Sequence, residues 1–225
     1  MKLKKVRKDR MFDFVTESWN PLTGCLHNCY NGKCWARLMT IRFSKKWGYD
    51  FRPKFHPERL KRKFKPNTLV FVCSMGDMFG NWVKDEWILK IFKVIQANPQ
   101  TTFFLQTKNT MKMWLYQYNL TPNVIISTTL ETNREYNVSK APPSWDRYYW
   151  FKRIKHKRKH VSIEPIMDFD FDEFLYMIKE IKPEAVSIGY DNYGANLPEP
   201  PLLKTQSFIQ ELRKFTEVHI KGLRK

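Results

Sequence analysis

Short apolar, β-rich runs recur along the chain at Met11–Thr16, Thr68–Cys73, Thr102–Thr107, Asn123–Thr129, Val161–Glu164, Ala185–Gly189 and Glu217–Ile220. Between them the apolar spacing shifts toward the helical period. Trp82–Ala97 places Trp87, Ile88, Ile91, Phe92 and Ile95 on one face, which predicts an amphipathic helix. Phe171–Ile181 and Lys204–Phe215 repeat the spacing, and Pro183 stops the first of these. Strands that are apolar along most of their length, each followed by a helix, predict a parallel sheet covered by helices. Right-handed crossovers would wind it into a barrel, a partial barrel or an open doubly wound sheet. In each case the functional residues belong at the C-terminal strand ends. The runs do end in polar or special residues: Cys73-Ser74-Met75-Gly76-Asp77, Gln106-Thr107-Lys108, Thr128-Thr129-Leu130-Glu131, Ser162-Ile163-Glu164-Pro165 and Gly189-Tyr190-Asp191. Five such ends on one rim predict a site. Ordinary turn chemistry at each end is the competing reading.

Charge changes the picture. The 225 residues hold 40 Lys+Arg against 22 Asp+Glu, a net charge of +18 that no core can absorb. Three stretches carry nearly all of it: Met1–Arg10 (six basic, one acidic), Arg52–Lys65 (seven and one) and Lys152–His160 (six and none). Such localisation predicts a polyanionic partner, with nucleic acid, RNA or DNA, the natural one. The aromatic run Ser144-Trp145-Asp146-Arg147-Tyr148-Tyr149-Trp150 adds rings able to stack on bases, although core packing is the commoner use of aromatics. No apolar run approaches the ~20 residues of a membrane span, and no secretory signal pattern is present, so a cytoplasmic protein without membrane attachment is expected. One domain over residues 1–225 is expected, with 1–10 a basic N-terminal arm and 217–225 a C-terminal strand and basic tail. P-loop and Rossmann glycine fingerprints are both missing, so ATP or NAD use has no support.

The densest chemistry lies in Gly24-Cys25-Leu26-His27-Asn28-Cys29-Tyr30-Asn31-Gly32-Lys33-Cys34. Three thiolates spaced C-x3-C-x4-C can meet one inorganic centre, and Asn31-Gly32 permits the necessary turn. They would hold three irons of a [4Fe–4S] cluster and leave one iron open. Zinc with His27 as fourth ligand is the alternative, although His27 stands closer to its neighbouring cysteines than usual ligand spacing allows. Cys73 lies apart, either a small buried strand residue or a thiol able to donate hydrogen to a radical. His56, His156, His160 and His219 have no ligand-like spacing and receive no catalytic part.

Cys25-Leu26-His27-Asn28-Cys29 followed by Cys34-Trp35-Ala36-Arg37 resembles the radical S-adenosylmethionine (SAM) superfamily. Ser18-Trp19-Asn20-Pro21-Leu22-Thr23-Gly24-Cys25 is similar to the opening of a phage and archaeal three-cysteine branch, distantly similar to spore photoproduct lyase. Ser74-Met75-Gly76-Asp77-Met78-Phe79 and Ser162-Ile163-Glu164-Pro165 resemble that group's strand-end motifs, in matching order. The last cysteine gap departs from the common pattern, with four residues where the superfamily has two.

The resemblance implies an α/β fold of the partial (β/α)6 barrel type with parallel strands and outer helices. It also implies a [4Fe–4S] cluster on Cys25, Cys29 and Cys34, and SAM as the source of a 5′-deoxyadenosyl radical. It places Ser74, Met75, Gly76 and Asp77 at the methionyl end of SAM, with Asp77 accepting from the ammonium. Thr129, Glu131, Ser162 and Glu164 are placed near the ribose and sulfonium, and Gly189 and Tyr190 near the adenine. Apart from the resemblance, the position of Cys73 beside Ser74 makes it the candidate catalytic thiol. A flavodoxin or ferredoxin would supply the electron. Nucleic-acid repair or modification is the expected function. A zinc-stabilised, non-enzymatic nucleic-acid binder and a radical SAM enzyme for a small anionic metabolite are the alternatives.

Overall fold

The computed structural model describes residues 12–48 and 50–224. The basic arm at 1–10, and Met11 of the first apolar run, lie outside the described residues. In chain order the elements are β1 (Glu17–Trp19), β2 (Leu22–Thr23), α1 (Trp35–Trp47), β3 (Lys54–Phe55), β4 (Leu69–Val72), α2 (Asp85–Gln96), β5 (Thr102–Thr107) and α3 (Thr110–Leu115). There follow β6 (Val124–Thr129), α4 (Ser144–Arg153), β7 (Lys159–Ile163), α5 (Phe171–Ile181), β8 (Ala185–Ile188), α6 (Leu202–Leu212) and β9 (Glu217–Ile220).

Seven strands form one sheet in the order β1-β4-β5-β6-β7-β8-β9, and every neighbouring pair is parallel. A sequential parallel order brings every C-terminal strand end to one rim. The short β2–β3 ribbon stands apart and is antiparallel. Among the described residues no helix is long and apolar enough to cross a membrane.

The predicted periodicity accounts for the helix layer. Ile88, Ile91, Phe92 and Ile95 of α2, and Phe174, Met177, Ile178 and Ile181 of α5, are all buried at i, i+3, i+4, i+7 spacing. They meet Val70, Val72, Phe103, Leu105, Val161 and Ile163 from one face of the sheet in the main core. Each such side chain contributes about 1.5–3 kcal/mol by leaving water. Lys182 turns left-handed at φ 54° and ends α5 just before Pro183.

The opposite face carries a second cluster, Phe12, Val15, Phe71 and Phe104, with Phe14 packed against it. This corrects the first predicted strand. Phe12–Thr16 is a turn and coil laid across the sheet, and the strand begins at Glu17. Its apolar residues are buried by that packing instead of by strand pairing.

His160 projects onto this second face, edge-on to the Phe12 and Phe104 rings. Ser127 Oγ lies 2.9 Å from its Nδ1 and Ser187 Oγ 2.9 Å from its Nε2. Burial, followed by the nearby charges of His219 and Lys221, pushes its pKa down to about 3. A depressed histidine pKa means the unfolded chain binds the extra proton. The stability contributed by neutral His160 is therefore complete above pH ~6.5 and is lost as pH falls toward 3. At pH 5 that loss should be about 2 kcal/mol. Urea unfolding at pH 7.5 and pH 5 should show it in the wild type and lose it in His160→Gln. An equal pH dependence in both proteins would remove His160 as the cause.

The basic stretch Lys152–His160 needs a second correction. It runs from the end of α4 into the start of β7, on the rim opposite the C-terminal strand ends. Lys159 is buried, and its Nζ donates to the carbonyls of Phe151 and Lys152 at 3.1 Å, closing the C-terminus of α4. That lysine serves the helix end and is not a free phosphate contact.

Candidate functional site

A cavity of about 660 Å³ opens at the C-terminal rim of the sheet. Its walls include Cys25, Cys29 and Cys34 together with Ser74, Gly76, Asp77, Thr129, Glu164 and Tyr190. Sequence reasoning thus placed nine of its candidates on one cavity. Met75, Glu131, Ser162 and Gly189 stand behind the wall, and Cys73 packs in the main core with its thiol pushed up to about 12 by burial. Cys73 is not among the residues that line the cavity.

Two glycines let the cysteine segment cross the sheet. Gly24 has φ +83°, and a Cβ there would lie 2.2 Å from the Arg52 carbonyl oxygen. A Cβ on Gly76 would meet the Gly24 oxygen at 2.8 Å. The two backbones touch as a parallel bridge, and Gly24 N–H donates to the Met75 carbonyl at 2.8 Å. Asn20 Oδ1 then accepts from Ser74 Oγ (3.2 Å) and Met75 N–H (3.0 Å), tying the loop after β4 to that after β1.

From Asn28 the chain coils tightly, with Asn28, Tyr30 and Asn31 all in the left-handed region. It is held from outside by a segment that the sequence reading missed. Tyr30 N–H donates to the Val138 carbonyl and Lys140 N–H to the His27 carbonyl, both at 2.6 Å. Ser139 Oγ donates to the His27 carbonyl (3.2 Å) and lies 3.4 Å from Cys29 Sγ.

Asp77 is buried and its oxygens are already filled. Oδ1 accepts from Phe79 N–H (2.9 Å) and Thr107 Oγ1 (2.7 Å); Oδ2 accepts from Lys108 N–H (3.0 Å) and His27 Nε2 (2.9 Å). Burial alone would raise its pKa, but the bonds from His27, Thr107 and Lys108 outweigh it and hold the carboxyl below its usual range. A carboxylate with four donors anchors the turn between Cys25 and Cys29 through His27. It has no free lone-pair direction for a ligand's ammonium.

Glu131 sits in a second buried network. Arg147 Nη1 donates to Oε2 at 2.8 Å, Tyr30 Oη donates to Oε1 at 2.6 Å, and Lys108 Nζ donates to the same oxygen. Burial opposes its charge, yet Arg147 and Lys108 hold the carboxyl well below the ordinary carboxylate range. Lys108 also stands 4.7 Å from the Tyr30 ring centroid; burial opposes its charge, yet the anionic surroundings that include Glu131 keep its ammonium protonated.

Burial pushes Cys25 and Cys34 up, so each becomes a thiolate only with a cation against it. Among the described residues no three His, Cys, Asp or Glu side chains form a group that could hold a metal ion, and what the three thiols share is the cavity wall. A cluster takes each thiolate on a separate iron, so three thiols lining a common wall fit it.

Fold and cavity together define an α/β protein of the architecture seen in spore photoproduct lyase. One such structure, complexed with dinucleoside spore photoproduct, superposes with TM-score 0.62 at 9% identity, over 97% of this chain and 81% of that one. Another, a mutant with bound AdoMet and dinucleoside spore photoproduct, gives 0.55 at 12% identity, over 93% and 66%. No curated protein matches the chain by sequence. The chain belongs to the family described as "Protein of unknown function (DUF5131)", which matches residues 10–177.

Proposed function

We propose that this protein is a radical SAM enzyme acting on nucleic acid, in repair or modification, with a [4Fe–4S] cluster on Cys25, Cys29 and Cys34. The observation that carries the reading is the meeting of three thiols from one loop with the strand ends of a parallel sheet on one cavity. The likeness of the fold to spore photoproduct lyase, in one structure with bound AdoMet, supports it. When bound, the cluster supplies one electron that breaks the sulfonium C–S bond of SAM and yields a 5′-deoxyadenosyl radical.

The chain's own residues would bind SAM and exclude water. Ser74 and the bare backbone at Gly76 take its methionyl end. Gln106 donates through Nε2 to Thr129 Oγ1 at 3.0 Å, which leaves its buried Oε1 unpartnered to accept from a ribose hydroxyl. Tyr190 and Tyr193 line the same cavity and offer faces to the adenine. Asp77 and Glu131 act on the cysteine loop, through His27 and Tyr30, and not on SAM. Exposed Arg52 and Lys54 lie beside the cysteine loop, where Cys25 N–H donates to the Phe51 carbonyl, and so place positive charge for a phosphate chain near the opening. The electron would come from a flavodoxin or ferredoxin.

Anaerobic reconstitution with iron and sulfide, followed by dithionite and SAM, tests this directly. The protein should turn brown and release 5′-deoxyadenosine and methionine, read by mass spectrometry. Iron uptake without SAM cleavage, or no iron uptake, would overturn the proposal.

A further inference from the structure

One half-buried carboxylate on the cavity wall has no part in holding the cysteine loop or SAM. Glu164, at the end of β7, places Oε2 3.1 Å from Lys221 Nζ, while its Oε1 is buried with no hydrogen-bond partner. An unpaired buried acceptor is costly, and in native structures it marks a place for a ligand or a water. Asp13 brings a second carboxylate to the same cavity, and Phe71 and Ile220 supply apolar wall beside it. The three charged groups come from the Phe12–Val15 segment and the ends of β7 and β9. None comes from the cysteine loop or from the loop after β4.

We propose that Lys221, Glu164 and Asp13 form a base-recognition subsite that reads the Watson–Crick edge of guanine. The proposal rests on the nucleic-acid reading above and deepens it.

Donors and acceptors on the wall match those of one base edge. The wall presents an ammonium donor, an unpaired carboxylate oxygen and a second carboxylate. Guanine presents O6 as acceptor, then N1–H and N2–H as donors, so each wall group meets its complement. Lys221 has donors to spare, because its ammonium carries three and Glu164 takes one. Uracil and thymine satisfy the lysine and Glu164 but turn a carbonyl toward Asp13. Adenine and cytosine set a ring-nitrogen lone pair next to their amino group, which a carboxylate repels. Burial pushes the Glu164 carboxyl up and the charge of Asp13 adds to this, against Lys221. Two N–H donors from a bound base would relieve both effects. A site built to hydrogen-bond one edge rejects the wrong edge strongly, because its own buried groups are then left unpaired. Enzymes that act on bases commonly read the extruded base by that edge.

The test uses the reconstituted full chain and the trinucleotides ApGpA, ApUpA, ApApA and ApCpA, with affinities read by tryptophan fluorescence at fixed salt. Phosphate contacts are identical in all four, so the ratio between them reports the base alone. ApGpA should bind at least tenfold more tightly than ApApA and ApCpA, with ApUpA between. In Glu164→Ala and in Lys221→Met the ratio should fall to near one. A variant that merely unfolds would lose all four affinities together, so the ratio separates recognition from structure. Equal wild-type affinities, no binding of any trinucleotide, or an unchanged ratio in both variants would overturn the subsite. SAM binding to the same wild-type preparation is measured alongside. SAM bound with no preference for guanine sinks this inference alone, whereas failure to bind SAM sinks the reading on which it rests.

Discussion

Alanine in place of Cys25, Cys29 or Cys34 should strip nearly all bound iron from the reconstituted protein, while Cys73→Ala should keep it. The expectation follows from where the four thiols stand. Three line the cavity, and burial pushes the Cys25 and Cys34 thiols up. The fourth packs among Trp19, Leu22 and Val72 in the main core. A cluster held by three thiolates has no spare protein ligand, so removing any one exposes a second iron and the cluster is lost. Cys73→Ala should instead cost about 1 kcal/mol, as a small buried deletion does. Iron content and absorbance near 400 nm give the answer. Equal iron loss in Cys73→Ala would refute the three-thiol assignment.

The largest effect on stability is expected at Glu131. Glu131→Ala leaves Lys108 and Arg147 buried without their shared counter-charge, which costs about 3–5 kcal/mol. That is a large part of the 5–15 kcal/mol that typically separates folded from unfolded protein. Tyr30 also loses its acceptor, so the cysteine loop loosens and iron uptake should fall with stability. The pH dependence has a definite sign. The folded-state pKa lies below the unfolded value, so the contribution is intact above the ordinary carboxylate range near 4.3 and is lost as pH falls through and beneath it. Urea unfolding at pH 7 measures the first effect. A loss below 1 kcal/mol would mean that water enters and screens the two cations.

The sheet was legible because burial and strand pairing usually coincide. Six of the seven apolar runs are strands, and the helix spacing in Phe171–Ile181 matches α5 residue for residue. They part at Phe12–Val15, where the apolar side chains pack against the sheet but the backbone forms a turn, and only Thr16 N–H, donating to the Leu69 carbonyl, meets the neighbouring strand. Periodicity reports burial and cannot separate the two cases. The same limit hid α3 and α4. In α4 the rings divide, with Tyr148 and Phe151 buried and Trp145 and Tyr149 exposed, so no clean apolar stripe is seen.

The thiols and strand ends of the site were legible from local spacing. The partners of Asp77 and Glu131 were not. His27, Thr107 and Lys108 converge on Asp77 from two other loops, and Arg147 reaches Glu131 from the next helix. No local pattern records such meetings. The charge count misled in one place for the same reason, since Lys159 is indistinguishable in sequence from its exposed neighbours.

The clamp on the cysteine loop has a consequence for how the chain is made. Cys29 and Ser139 are 110 residues apart, and the N–H groups of Lys140 and Tyr30 donate to the carbonyls of His27 and Val138 across a similar gap. A ribosome adding 5–20 residues per second needs roughly 5–20 s to travel from the last cysteine to the segment that fixes it. Throughout that interval the three thiols are on a tether without its anchor, open to oxidation and to stray metals. On the proposed reading, iron and sulfide would find the thiols clamped only in a chain whose sheet is already built past β6, which would make cofactor insertion a late event in the life of each molecule.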